Sequence, residues 1–376
     1  MQGLNIPFMI LVTGGTGFVG HEVVGELLAL GHRVRLLVRD PKRAQWYAGH
    51  PRVELIQGDV LRPETLAAAM VGVQAVIHLV GIIVETPRIS YEQAHVEATR
   101  NLLAAAKAAG VTRWLQMSAA GTRSHASSEY HLTKWKSEEL VRQSGFDWTI
   151  FRPSLIYGYD EKDRLFNLLR TMLSWPTGFL LLHSFPLLDG GRPLIQPVSV
   201  REVARCFAHG LSKPESIGKT YDLVGPVPIS WREMVSKIAT TLGLRAVYEE
   251  IPLLLLLRNL LWLSIIFVPC LVVAAMAMDK LSLLGAEIIA GLWAVLAVMA
   301  NRWTDVILFN VPGEPIRMVS EGFDVFAPQG LRFSGLLKMS AEDNVGDPRP
   351  AADDFAYQPE SFEQGLARVC GAKPGL

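Results

Sequence analysis

Over its first half the chain alternates short apolar runs with helix-length stretches. Phe8–Val12, Arg33–Val38, Val53–Ile56, Ala75–Val80 and Trp114–Met117 read as strands, with helix-like stretches between them, one from about Gly17 to Leu30 and the Ala-rich Glu92–Ala109. Strands this continuously apolar need cover on both faces, and intervening helices supply it. The predicted fold is therefore α/β, a doubly wound parallel sheet. Gly31 stands where a helix C-cap would fall, and Pro63 where a first helical turn would begin. The pattern continues through Trp148–Phe151 and yields to a loop-rich segment over 157–197. It returns as a helix over Val200–Leu211 and a strand over Tyr221–Val224, after which Ser230 predicts the N-cap of another helix.

Beyond Ile251 the pattern changes. No charged residue occurs between Arg258 and Asp279, and Leu281–Ala300 carries only Glu287. A helix of about 20 uncharged residues spans about 30 Å, the thickness of a bilayer core. Asp279-Lys280 would make the turn of a two-helix hairpin, with Arg258 and Arg302 on the same, cytoplasmic side. Against spanning stand Pro269 in the first run and Glu287 in the second. Helices lying in the membrane interface, or a soluble helical core, are the alternatives. Three segments are thus expected. Residues 1–230 form the α/β domain, including the loop-rich 157–197. Residues 231–304 are helical and carry the apolar hairpin at 253–300. Residues 305–376 form a polar tail, loosely structured apart from short helices.

The composition fits that division. Half of the 376 residues are hydrophobic and 19% are charged, against about 25% charged in an average soluble domain. Thirty-six basic residues balance 36 acidic ones, so no global field draws nucleic acid or an anionic surface. Cys206, Cys270 and Cys370 form no CxxC pair, which argues for a reducing compartment and against a zinc site. The N-terminus shows neither a basic region nor a long apolar run, so no signal peptide is expected.

The candidate chemistry begins at Thr13-Gly14-Gly15-Thr16-Gly17-Phe18-Val19-Gly20. Gly14, Gly17 and Gly20 follow an apolar strand and open a helix. Without Cβ atoms the backbone can turn tightly and approach a pyrophosphate, whose charge meets the helix N-terminal amides. The second strand ends in Arg39-Asp40-Pro41-Lys42-Arg43. An arginine there suits a 2′-phosphate, so NADP(H) is favoured; NAD(H) is the alternative if Asp40 takes the ribose. Asp59, with Val60 beside it, stands where such folds direct a carboxylate toward adenine, and is equally placed to cap a helix. Further on, Tyr130 and Lys134 lie four apart, on one face of a helix. An ammonium beside a phenol is expected to lower its pKa from about 10. The same lysine can bond a nicotinamide ribose. Ser118 falls at the C-terminal end of the fifth strand, where ligands bind in such sheets; its alternative is a local hydroxyl–backbone bond.

The glycine motif, the Tyr130/Lys134 pair and Phe151-Arg152-Pro153-Ser154-Leu155-Ile156-Tyr157-Gly158 together resemble the extended and atypical short-chain dehydrogenase/reductases. That resemblance implies Tyr130 as acid/base, Lys134 as its support and ribose ligand, and Ser118 as the group orienting a substrate oxygen. It also implies Leu79, Val80, Pro153 and Ser154 as residues along the cofactor. More narrowly, five stretches resemble the NADP(H)-binding accessory subunit of respiratory complex I and its bacterial relatives. They are Asp147–Ser154, Asp163–Asn167, Gln196–Val200, Val224–Pro226 and Met339–Asn344. The chain departs from the family in three places: His95 stands where many relatives have Asn, the Ser118–Tyr130 interval is shorter than in sugar-modifying members, and the apolar segment is added.

Two functions follow from the sequence. One is an oxidoreductase acting on a quinone-, isoprenoid- or lipid-like substrate; the other is an accessory subunit that binds NADP(H) structurally in a membrane complex. A sugar-nucleotide epimerase or dehydratase is disfavoured. Either leading reading places the protein on the cytoplasmic side of a membrane.

Overall fold

The computed structural model describes residues 9–158, 184–243, 246–249, 306–311 and 341–371. The expected hairpin at 253–300, the stretch Asp163–Asn167 and residues 312–340 of the tail lie outside the described residues. Among those described, no helix is long and apolar enough to cross a membrane. The chain divides into two compact units.

The first unit holds a parallel sheet of β1 (Met9–Thr13), β2 (Arg33–Val38), β3 (Val53–Gln57), β4 (Ala75–His78), β5 (Arg113–Met117), β6 (Asp147–Pro153) and β7 (Lys219–Leu223). Their spatial order is β7-β6-β5-β4-β1-β2-β3, so the order reverses between β1 and β4. In open α/β sheets that switch point is where ligands bind, beyond the carboxyl ends of the strands. The sheet is covered as the apolar runs require. Ile10, Val12, Leu36, Ile77 and Phe151 pack with α1 (Phe18–Ala29) and α5 (Val200–Gly210) on one face. Leu11, Val76, Trp114 and Ile150 form the other face with α2 (Leu66–Ala69), α3 (Ala98–Ala108) and α4 (Glu129–Arg142). Burying each such side chain contributes about 1.5–3 kcal/mol relative to exposure.

Buried ions pin the layers. Glu138 on α4 is fully buried and accepts from Arg152 Nε and Nη2 on β6, at 2.8 and 2.6 Å, and from Arg142 Nη2 at 2.5 Å. Arg113 on β5 donates to Thr149 Oγ1, Ser216 Oγ and the carbonyls of Asp147 and Gly210, tying β5, β6 and the end of α5 together.

Residues 341–371, expected in a loose tail, instead belong to this unit. Tyr357 donates to the Val224 carbonyl at 2.9 Å, and Asp354 of α7 (Arg349–Phe355) accepts from Lys219 and Tyr221. Tyr357 and Phe362 are buried, the latter on α8 (Phe362–Gly371). Apolar contact and these hydrogen bonds hold a stretch whose polar composition alone reads as loose.

In the second unit the strands Ser184–Leu188, Val306–Val311 and Ala246–Glu249 form a small parallel sheet with Val306–Val311 central. There α6 (Trp231–Thr241) begins at Ser230 as the sequence predicts, in a reciprocal cap with Glu233.

Candidate functional site

The glycine turn sits at the end of β1, beside the switch point. Gly14 has φ +78, and a Cβ on it would lie 3.1 Å from the Leu79 carbonyl carbon and 3.2 Å from the Val80 amide nitrogen. The backbone of Leu79 and Val80, expected along the cofactor, therefore closes against the turn. At Gly20 a Cβ would lie 2.2 Å from the Gly14 oxygen, so the first turn of α1 approaches the glycine turn too closely for a side chain. Gly17 differs: a Cβ there meets only the Gly14 oxygen, at 3.2 Å, and Gly17 is exposed. Thr16 and Phe18 flank it half-buried, while Val19 is buried in the core. Gly17 is also the N-cap of α1, with no side-chain cap and no acidic residue in the first turn. The amides of this 12-residue helix thus have no carboxylate of their own, and an anionic group fits there.

At the end of β2, Arg39, Lys42 and Arg43 are exposed together. Asp40 is drawn into local structure, where its Oδ1 accepts the Lys42 amide at 3.0 Å. Asp59 is engaged likewise, with Oδ1 accepting the Leu61 amide at 3.0 Å. Val60 is buried, and its carbonyl accepts from Asn101 Nδ2.

Tyr130 and Lys134 both lie on α4, four residues apart. Lys134 is buried and donates to the Met117 carbonyl at 3.3 Å. Its ammonium passes close over Gly81, where a Cβ would stand 2.9 Å from Nζ. Burial pulls the Lys134 pKa down to about 8, with Glu138 opposing the shift. The Tyr130 phenol moves opposite to the sequence expectation: burial raises it to about 12. Burial is the whole cause of the shift, with no lowering from Lys134, and the hydroxyl stays protonated at neutral pH. Around the Tyr130 ring, Tyr91, His95 and His131 stand edge-on, with centroids 5.8, 5.4 and 5.2 Å away.

His95 lies in a π-turn, Glu92–Glu97, that precedes α3 and interrupts the α-helix expected from Glu92. Thr133 donates to the Glu129 and Tyr130 carbonyls, leaving its oxygen to accept from His95 Nδ1 at 2.9 Å, while His95 Nε2 accepts the Ile82 amide. Those partners fix the neutral Nδ1–H tautomer, and burial with the nearby Lys134 charge holds its pKa well below the usual value. Beneath it a buried chain runs from Trp114 Nε1 to Gln116, Ser137 and Thr99, joining β5 to α3 and α4. His78, beside Thr13 Oγ1 at 2.6 Å, is likewise neutral, its pKa brought down to about 3 by burial and Lys134.

Ser118 lies just past β5, buried, and its hydroxyl donates to Thr122 Oγ1 at 3.4 Å. Pro153 ends β6, and Ser154 follows with its hydroxyl given to the Asn344 carbonyl at 2.7 Å. Sequence reasoning missed Gly81, Tyr91 and Glu342. A glycine three residues past β4 was a readable signal for the first, and the Tyr91–His95 spacing for the second. Glu342 stood within the Met339–Asn344 stretch without a legible role, because it meets Arg123 across 219 positions of chain.

A family model described as NAD(P)H-binding matches residues 14–169. Subunit 9 of the NADH dehydrogenase [ubiquinone] 1 alpha subcomplex, from Arabidopsis thaliana mitochondria, is 31% identical over 229 residues, 59% of this chain and 55% of that protein. The chain thus spans about half the length of that relative. The (4-alkanoyl-5-oxo-2,5-dihydrofuran-3-yl)methyl phosphate reductase of Streptomyces griseus is 30% identical over 244 residues, 65% of this chain and 77% of the enzyme. Among solved structures, the NADPH-dependent quinone oxidoreductase QOR2 of Escherichia coli, complexed with NADPH, superposes with TM-score 0.62 over 96% of this chain and 99% of that one. Their identity is 16%, a likeness of fold.

Proposed function

The chain belongs to the short-chain dehydrogenase/reductase superfamily, in its extended and atypical NAD(P)H-binding branch, and from that premise we propose that it is a reductase preferring NADP(H), in which Tyr130 donates the proton. The observation that carries this reading is the placement of Tyr130, half-buried, and Lys134, buried, on one face of α4. Reduction of a carbonyl or quinone oxygen needs a proton donor; the Tyr130 phenol carries its proton at neutral pH, and a cation brought close enough to lower its pKa would make it the better donor. A bound nicotinamide supplies the hydride. Gly17 and the first turn of α1 would hold its pyrophosphate, and Lys134 its ribose. Arg39, Lys42 and Arg43 support preference for a 2′-phosphate, since Asp40 is occupied in capping its own turn. The aromatic edges around Tyr130 suit an apolar, conjugated substrate of the quinone, isoprenoid or lipid kind.

Replacing Tyr130 by Phe tests the assignment. NADPH-dependent reduction of a model quinone should fall about 10²- to 10⁴-fold while NADPH affinity holds. Full turnover in this variant would sink the proton-donor role. A second reading is favoured by the relatedness to the mitochondrial subunit and by the apolar run after Arg258. In it the nucleotide is structural, and the chain sits with a complex on the cytoplasmic side of a membrane. Retention of NADPH and of co-purifying membrane proteins by Tyr130→Phe, with no turnover in the unaltered chain, supports that reading.

A further inference from the structure

We propose that Glu342 is a positioning residue that sets the loop between Ser118 and Tyr130, and hence the placement of the proton donor; this rests on the reductase reading above. Its side chain is 9% exposed. Oε1 accepts the Ser127 and Ser128 amides at 2.9 and 3.1 Å, together with the Ser127 hydroxyl. Oε2 accepts from Arg123 Nη2 at 2.6 Å and lies 3.7 Å from His131 Nδ1. One carboxylate thus gathers both arms of the Gly121–Ser128 loop and the first turn of α4.

The helix does not need Glu342 in order to form, because Ser128 already caps it, accepting the His131 amide at 3.3 Å. What Glu342 supplies is a location for that cap. Ser124, His125 and Ser127 are exposed, so the loop has little burial of its own to fix it. Tyr130 begins two residues beyond the cap, and its ring abuts His131, so a shift of the loop is a shift of the phenol. A carboxylate at this end of α4 also complements the helix dipole.

Glu342 is itself held. Asp343 Oδ1 accepts the Leu194 amide at 2.8 Å, and the Asn344 amide donates to the Leu194 carbonyl at 2.7 Å. The Ser154 hydroxyl donates to the Asn344 carbonyl, and the Gly346 amide to Gln196 Oε1. Residues 342–346 therefore form a strap stitched along the carboxyl edge of the sheet, with Glu342 as its buckle on the Tyr130 helix.

The test compares the full chain with Glu342→Ala and Glu342→Gln. In Glu342→Ala, hydrogen exchange at amides 127–131 should rise about 10-fold, and kcat for NADPH-dependent reduction of a model quinone should fall about 10-fold, with NADPH Kd changing less than about threefold. Glu342→Gln keeps an acceptor oxygen for the two amides and should restore slow exchange and most of kcat. Unchanged exchange in Glu342→Ala overturns the proposal. So does a parallel loss of NADPH binding and thermal stability in both variants, which marks a residue that only holds the fold. If the unaltered chain has no turnover, the reductase reading fails, while exchange and its recovery in Glu342→Gln still decide whether Glu342 places the loop.

Discussion

Replacing Gly81 by Ala should separate function from stability in a way few substitutions can. Gly81 has no positive φ, so alanine suits its backbone, and the loss of freedom in the unfolded chain favours folding by about 0.4–1 kcal/mol. The added Cβ would stand 2.9 Å from Lys134 Nζ. Ordinary contact begins near about 3.5 Å, so the ammonium must retreat by roughly 0.6 Å or more. It can, being the tip of a flexible side chain, and the weak bond it gives up to the Met117 carbonyl offsets that gain, so fold stability should change by less than about 1 kcal/mol. The retreat draws Nζ from the place where it bonds the Met117 carbonyl and where a nicotinamide ribose would meet it. A misplacement approaching 1 Å can cost about 100-fold in rate. The assay pairs thermal unfolding with NADPH titration and quinone reduction. Undiminished NADPH affinity and turnover would refute the lysine's role. A clear drop in unfolding temperature would refute the claim that only the lysine tip yields.

At Gly20 the outcome should be the reverse, because an alanine Cβ would strike backbone at 2.2 Å from the Gly14 oxygen; urea unfolding should show a loss of at least about 1–3 kcal/mol together with lost NADPH binding. Glu138→Ala strands the largely buried Arg142 and Arg152 guanidiniums and should cost about 3 kcal/mol in the same assay; Glu138→Gln, which keeps acceptors, should cost less. The Lys134 pKa, about 8 when folded and 10.5 otherwise, gives two opposed trends. Below about pH 8 both states are protonated and the burial penalty is fully present; between about 8 and 10.5 the unfolded chain holds more protons, so this group's contribution to stability rises with pH. NADPH affinity that needs the ammonium should instead weaken above about pH 8. An affinity that is flat to about pH 9.5 in the unaltered chain, or a decline that persists in Lys134→Met, would contradict that assignment.

What the sequence determined alone was local or periodic. Continuous apolar strands between helices specify a sheet covered on both faces, and the glycines that begin α1 are legible because each answers to atoms within a few residues or on the next strand. Tyr130 and Lys134 were legible for the same reason, since helical spacing by itself places them on one face. The tertiary structure decided whatever depended on burial or on distant chain. It reversed the direction of the Tyr130 pKa, because desolvation by Tyr91, His95 and the layers around them acts through space and leaves no spacing to read. It put Lys134 over Gly81, 53 positions away in sequence, and Glu342 on a loop more than 200 positions away. It also drew residues 341–371 into the first unit, although their polar composition reads as a loose tail. Periodicity records which face of an element is buried; which other elements bury it, and what charge they bring, is settled only when the chain closes on itself.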